Sequence, residues 1–73
     1  MGNKIKITLE ACRVNAGKKQ SEWAELNGVS LNTVSNWENG KSEPSLSQLR
    51  NISELSGIPM DYIFVSTDSL KMN

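Results

Sequence analysis

Residues 20–41 read QSEWAELNGVSLNTVSNWENGK, and they parse as two short helices around a turn at Gly28. The first runs from Gln20 to about Asn27, with Trp23 and Ala24 facing inward. The second starts after Ser30, a good N-cap, and ends near Asn39, with Leu31, Val34 and Trp37 as its apolar edge. Ala24 is small where two helices must cross closely, and Val29 with Val34 can fill the space between them. Asn39-Gly40 is a chain-reversal signal. These features describe a tight helix pair, which also occurs in plain helical bundles.

Working outward, helical signals recur with breaks at Gly17, Gly28, Gly40 and Gly57, each where a helix would end. A first helix is expected from Leu9 to about Ala16, capped by Thr8, with Leu9, Cys12 and Ala16 on one stripe. A fourth begins near Ser45, after Pro44, and buries Leu46, Leu49, Ile52 and Leu55. A fifth starts around Pro59 and ends at Val65, since a proline is tolerated at a helix start. No β-alternation lasts long enough to argue for a sheet. The expected fold is therefore all-α, a compact five-helix bundle. It forms one domain over residues 1–73, with a folded core of about 7–65 between flexible ends.

Seventy-three residues leave room for one small core, burying roughly 60 % of the unfolded surface, and none for a separate ligand-sensing or oligomerisation domain. A single Cys and no His exclude an internal disulfide and an ordinary zinc site, so no metal or cofactor is expected. Cys12 reads as a small buried hydrophobe rather than a reactive thiol. The longest apolar run, Tyr62 to Val65, is far too short to span a bilayer, and the N-terminus lacks a secretory h-region. A cytoplasmic protein without a membrane partner is expected. There is no nucleophile–base constellation and no Walker-type loop, so the chain does not read as an enzyme.

Eight Lys+Arg are balanced by eight Asp+Glu, whereas a nonspecific nucleic-acid binder is usually basic. Distribution qualifies the total. Lys4, Lys6, Lys18, Lys19 and Lys41 fall in end or turn segments, while Glu22, Glu25 and Glu54 fall within helices. The outward face of the third helix carries Asn32, Thr33, Ser35 and Asn36, all poor helix formers that stability alone would replace with Glu, Lys or Gln. Asn pairs bidentately with adenine N6 and N7, and Thr or Ser contacts bases or phosphates. Leu31 is placed to touch a thymine methyl wherever it is not wholly buried. The same face also reads as a merely polar, solvated surface, and these residues alone leave both readings open.

The ordered set resembles the phage-repressor and Cro-like helix-turn-helix family of the XRE type over roughly Ile7 to Val65. The set comprises Arg13 before Ala16-Gly17, then Gln20, Ala24, Gly28-Val29-Ser30, Val34 and Trp37-Glu38-Asn39-Gly40-Lys41, with Pro44 and a leucine-rich helix behind. The resemblance implies a five-helix bundle that inserts its third helix into the major groove of duplex DNA. It implies that Gln20 meets a phosphate, aided by the helix N-terminus. By the same resemblance Leu31, Asn32, Thr33 and Asn36 face bases or flanking phosphates, with Ser35 close by. Asn39, Gly40 and Lys41 correspond to a loop whose backbone N–H groups and lysine approach the sugar-phosphate chain, contacts that position more than they specify. Arg13 and Glu38 correspond to a structural ion pair tying the first helix to the end of the third.

Departures from the family pattern are Lys18, where an apolar residue is usual, and Lys19, where a capping Thr or Asn is common. A lysine at a helix N-terminus opposes the dipole and cannot cap it, which fits stability exchanged for phosphate attraction, or a first turn stabilised elsewhere. Asn27 replaces a usually apolar residue, with Leu26 the candidate to fill its space. Leu31 stands where Gln or Lys is frequent. The expected function is a sequence-specific double-stranded DNA-binding transcriptional regulator, a phage or mobile-element repressor. Two copies are expected on an inverted-repeat operator, with Tyr62, Val65 and the tail as a possible homodimer contact. The alternative is a protein-interaction module of the same fold, such as an antitoxin, antirepressor or adaptor. The alternative to the homodimer contact is that Ile63 and Phe64 are core, Tyr62 is a half-buried edge, and the protein is a monomer off DNA.

Overall fold

Local chemistry sets each helix boundary in the computed structural model, which describes residues 6–65. Strand β1 (Ile7–Thr8) leads directly into α1 (Leu9–Asn15), where Thr8 Oγ1 accepts from Ala11 N–H at 3.0 Å. Helix α2 (Gln20–Asn27) ends at Gly28, whose φ of +68° is a left-handed value. No atom lies within 4 Å of a Cβ added at Gly28, so the backbone angle, rather than space, selects glycine. Val29 N–H donates to Ala24 O at 3.0 Å and closes a Schellman motif. Two residues on, Ser30 caps α3 (Leu31–Glu38), accepting from Thr33 N–H at 3.1 Å. Helix α4 (Leu46–Ser56) opens on a full capping box, with Ser45 and Gln48 each accepting from the other's backbone N–H.

One hydrophobic cluster holds these helices together: Leu9 and Cys12 from α1, Trp23 and Ala24 from α2, Val34 and Trp37 from α3, Ile52 from α4, and Ile58. Trp23, Val34 and Ile52 are fully buried, each stabilising by about 1.5–3 kcal/mol relative to exposure. The buried Ser56 is satisfied by donating to Ile52 O at 2.7 Å and accepting from Ile58 N–H at 3.3 Å. Asn15 Nδ2 donates to Ser56 O at 2.9 Å and ties α1 to the end of α4.

The expected five-helix bundle is corrected, among the described residues, to four α-helices with a small parallel β-bridge. In place of a fifth helix, Pro59 is extended (φ −57°, ψ 142°), Met60–Tyr62 make one 3-10 turn, and Ile63–Phe64 form β2. Strand β2 pairs with β1 in parallel, Ile7 opposite Ile63 and Thr8 opposite Phe64. The run Tyr62 to Val65 is aromatic and β-branched, types with weak helix preference, and an open strand was there to pair with. Phe64 is 40 % exposed and Ile63 half-buried, so Phe64 is not core; the Lys6 ammonium sits over its ring, 5.5 Å from the centroid.

One leucine also departs from expectation. Leu46 is 63 % exposed. Apolar residues spaced strictly by three drift about 60° per step around a helix, so Leu46 lies about 120° from Ile52 and off the buried face. Leu49 and Leu55, one step to either side of Ile52, pack against the core. Leu31 is 51 % exposed at the first turn of α3, where it lines a groove with Ser21, Glu22, Glu25 and Val29. The expected flexible ends, with Lys4 and the tail portion of the homodimer contact, lie outside the described residues.

Candidate nucleic-acid interface

Helices α2 and α3 pack as one unit through Ala24, Val29, Val34 and Trp37, and this fixes the outward face of α3. On that face Asn32 is exposed and Asn36 half-buried, and neither amide makes a side-chain hydrogen bond among the described residues. Thr33 differs: its Oγ1 lies 2.9 Å from Ser30 Oγ, a hydroxyl pair closing the first turn. Ser35 Oγ accepts from Asn39 Nδ2 at 3.3 Å.

Below the C-terminal end of α3 lies a hydrogen-bonded cluster. Glu38 Oε2 accepts from Arg13 Nε at 2.7 Å, and Glu38 Oε1 accepts from Arg13 Nη2 at 3.3 Å and from Gln20 Nε2 at 2.8 Å. Arg13 Nη1 donates to Lys18 O at 2.9 Å. The side chains of Arg13 and Glu38 are only 14 % and 6 % exposed, and the carboxylate beside it holds the Arg13 guanidinium above its ordinary pKa. Arg13 and Glu38 therefore form a largely buried bidentate pair that also holds Gln20. Sequence spacing points to the pair through family resemblance; the attachment of Gln20 had no sequence signal of its own.

At the N-terminus of α2 the backbone N–H of Lys19 donates to Glu22 Oε1 at 2.9 Å. This is half of a capping box, because a lysine side chain has no acceptor to return the bond. Among the described residues no side chain caps the first-turn N–H groups of α2, and Lys18 and Lys19 are exposed beside them. The arrangement presents a positive helix end flanked by two ammonium groups.

After α3 the chain turns through Asn39, Gly40 and Lys41. The backbone N–H groups there have internal acceptors: Asn39 to Ser35 O, Gly40 to Trp37 O, and Lys41 and Ser42 to Asn36 O. The loop's freedom to meet an anion thus rests on the exposed Lys41 and Asn39 side chains. Asn27, a departure from the family pattern, is satisfied by polar contacts. Its Nδ2 donates to Trp23 O at 2.9 Å, and its Oδ1 accepts from Asn51 Nδ2 at 3.0 Å. Leu26 does not fill that space, being 47 % exposed.

Among the described residues no helix is long and apolar enough to cross a membrane, and no group of His, Cys, Asp and Glu is arranged to hold a metal ion. Cys12 is wholly buried, and burial pushes its thiol above the ordinary pKa of 9.0, with Ser56 opposing.

Residues 9–63 match a family model described as helix-turn-helix. An uncharacterized HTH-type transcriptional regulator of Haemophilus influenzae is 37 % identical over 43 residues, covering 59 % of this chain and 18 % of that protein. The SPbeta prophage-derived uncharacterized HTH-type transcriptional regulator YonR of Bacillus subtilis is 30 % identical over 59 residues, covering 81 % of this chain and 55 % of that protein. The chain thus spans about a fifth and about half of the lengths of these two relatives. No solved structure matches it significantly.

Proposed function

The chain belongs to the XRE-type helix-turn-helix family of transcriptional regulators, and from that premise we propose that it is a sequence-specific reader of double-stranded DNA, a phage or mobile-element repressor. Helix α3 enters the major groove with its outward amides toward the base edges. The observation that carries this reading is the pair of amides, Asn32 and Asn36, unpaired among the described residues, on the face of α3 turned away from the core. Stability has no use for them there, whereas a base edge does.

The surrounding groups take the positioning role. The open N-terminus of α2, with Lys19 and the second amide hydrogen of Gln20, meets one phosphate, and Lys41 with Asn39 meets another. Arg13 and Glu38 are structural, holding α1, Gln20 and the end of α3 in register. One copy covers a modest DNA surface, so two copies bind an inverted repeat with half-sites about 34 Å apart. Tyr62, 42 % exposed, and the half-buried Val65 are the described residues offered for the contact between copies. The protein works in the cytoplasm, as a binding module.

Fluorescence anisotropy of labelled duplex with the 73-residue chain, at about 50 mM and about 200 mM salt, tests the reading. Affinity for a duplex enriched from a random pool should exceed that for its shuffled version and fall steeply with salt, as counterions are released. Absence of duplex binding at either salt would overturn it. The balance of eight basic and eight acidic residues would then favour the protein-interaction module.

A further inference from the structure

Two surface features have no partner among the described residues, and their chemistries match. The first lies on α4, where Leu46 is 63 % exposed at the opening turn and Arg50 is exposed one turn later. Four residues apart, they stand about 40° apart around the axis and about 6 Å along it, so they share one outward face. The ion pairs among the described residues belong to Arg13; Arg50 joins none, not even with Glu54 at i+4. The second feature is the groove of about 350 Å³ between α2 and the start of α3. Ala24, Val29 and Leu31 give it an apolar lining, and the exposed Glu22 and Glu25 give it two carboxylates. Glu22 accepts the Lys19 backbone N–H, and neither carboxylate has a cationic partner among the described residues.

The geometry points to a contact between copies of this chain, in which the Leu46–Arg50 face of one enters the α2–α3 groove of the next. Leucine supplies the apolar body that Ala24, Val29 and Leu31 complement, and the guanidinium supplies the donor fork that a carboxylate accepts. The two carboxylates make the groove a poor seat for a phosphate, which favours a protein occupant over DNA. Neither feature is self-complementary, one being apolar and basic, the other apolar and acidic. The contact is therefore heterologous, and it propagates from copy to copy instead of closing a two-fold pair. It shares no residue with the Tyr62 and Val65 contact. A few side chains on each surface cover less than a stable interface needs, so the contact is weak in free solution. Copies held on neighbouring sites of one duplex meet at a raised effective concentration, and the same contact then makes their binding cooperative. That use rests on the DNA reading proposed above; the contact itself does not, and it is measured without DNA.

Sedimentation equilibrium of the 73-residue chain, in low salt and up to about 1 mM, reads the contact. Wild type should form species of more than two chains as concentration rises. Arg50→Glu and Glu25→Lys should each weaken this association by about tenfold or more, the worth of one close charge pair. Leu46→Ala should weaken it by about tenfold through lost apolar burial. An equimolar mixture of Arg50→Glu and Glu25→Lys should recover the association, because each copy then offers the face that the other's groove accepts. The mixture also controls for folding, since two misfolded variants would not regain association by mixing. A wild-type chain that stops at one or two copies would overturn the proposal. So would variants that associate like wild type, or a mixture no better than either variant alone. Loss of association in Lys71→Glu and not in Arg50→Glu would give the groove to Leu70-Lys71-Met72, also apolar and basic in sequence, and would overturn the contact through α4. Failure of the chain to bind duplex DNA would remove the cooperative use and leave the contact standing.

Discussion

Gln20 donates its Nε2 to Glu38 Oε1 at 2.8 Å, across 18 residues, onto the same carboxylate that Arg13 clamps at 2.7 Å. One acidic side chain thus collects α1, the start of α2 and the end of α3. Gln20 keeps a second amide hydrogen, and its direction is set by this bond. A residue at the first position of α2 is thereby tied to the end of α3, although the sequence presents it as a surface amide.

Glu38→Ala should destabilise the fold by about 3–5 kcal/mol, because it leaves the Arg13 guanidinium largely buried without its partner. Gln20→Ala leaves that ion pair intact and should cost about 1.5–3 kcal/mol, the worth of a hydrogen bond to a charged group. Urea unfolding of the two variants checks the order, and equal losses would mean that Arg13 finds another acceptor.

Asn27 and Asn51 should behave as a unit. Asn51→Leu should cost about 1–3 kcal/mol by leaving Asn27 Oδ1 half-buried without its donor. Changing both to leucine should recover much of the loss, since apolar replacement of both partners removes the unpaired group. A double-mutant cycle in chemical denaturant reads the coupling; additive losses would show that the bond contributes nothing.

Cys12 should be silent to thiol reagents in the folded chain at pH 8, reacting only as fast as the protein opens. Its thiol is held above the ordinary value of 9.0, so the folded state binds that proton more tightly than the unfolded state. Its contribution to stability is complete below pH 9.0 and declines as pH rises past that value towards the folded pKa. Unfolding midpoints at pH 8 and pH 10 should differ more for wild type than for Cys12→Ala. An equal alkaline shift in both would assign the effect to other groups.

Lys19→Ala should weaken binding on every duplex alike and lower the slope of log affinity against log salt by about 1, as expected for one phosphate contact. Lys18→Ala should do the same if both ammonium groups serve the α2 terminus. Unchanged slopes in both would leave the half-made capping box at Lys19 without a functional reason.

Much of the first three helices is legible in the residues because their boundaries are written in local chemistry: Thr8 and Ser30 as caps, Gly28 as the left-handed stop. What fails is long-range. Tyr62 to Val65 has no period to distinguish a short helix from a strand, and only the open edge of Ile7–Thr8 decides it. Leu46 misleads because leucines three apart look like a stripe but wind away from it. Asn27 looks like a packing fault until Asn51, 24 residues on, supplies its partner. At the candidate interface the residue types on α3 are visible in the sequence. Their hydrogen-bond commitments, which separate Thr33 and Ser35 from Asn32 and Asn36, emerge only from the folded geometry.

The most direct measurement is selection of bound duplexes from a random pool, run in parallel with wild type and Asn36→Ala. Wild type should recover an inverted repeat with half-sites about one helical turn apart. Asn36→Ala should recover the same repeat with preference relaxed at one base pair in each half, at a cost of about 1–3 kcal/mol on the best site. A wild-type pool without any motif, or an Asn36→Ala pool that keeps the full motif while binding all sequences more weakly, would contradict base reading through α3.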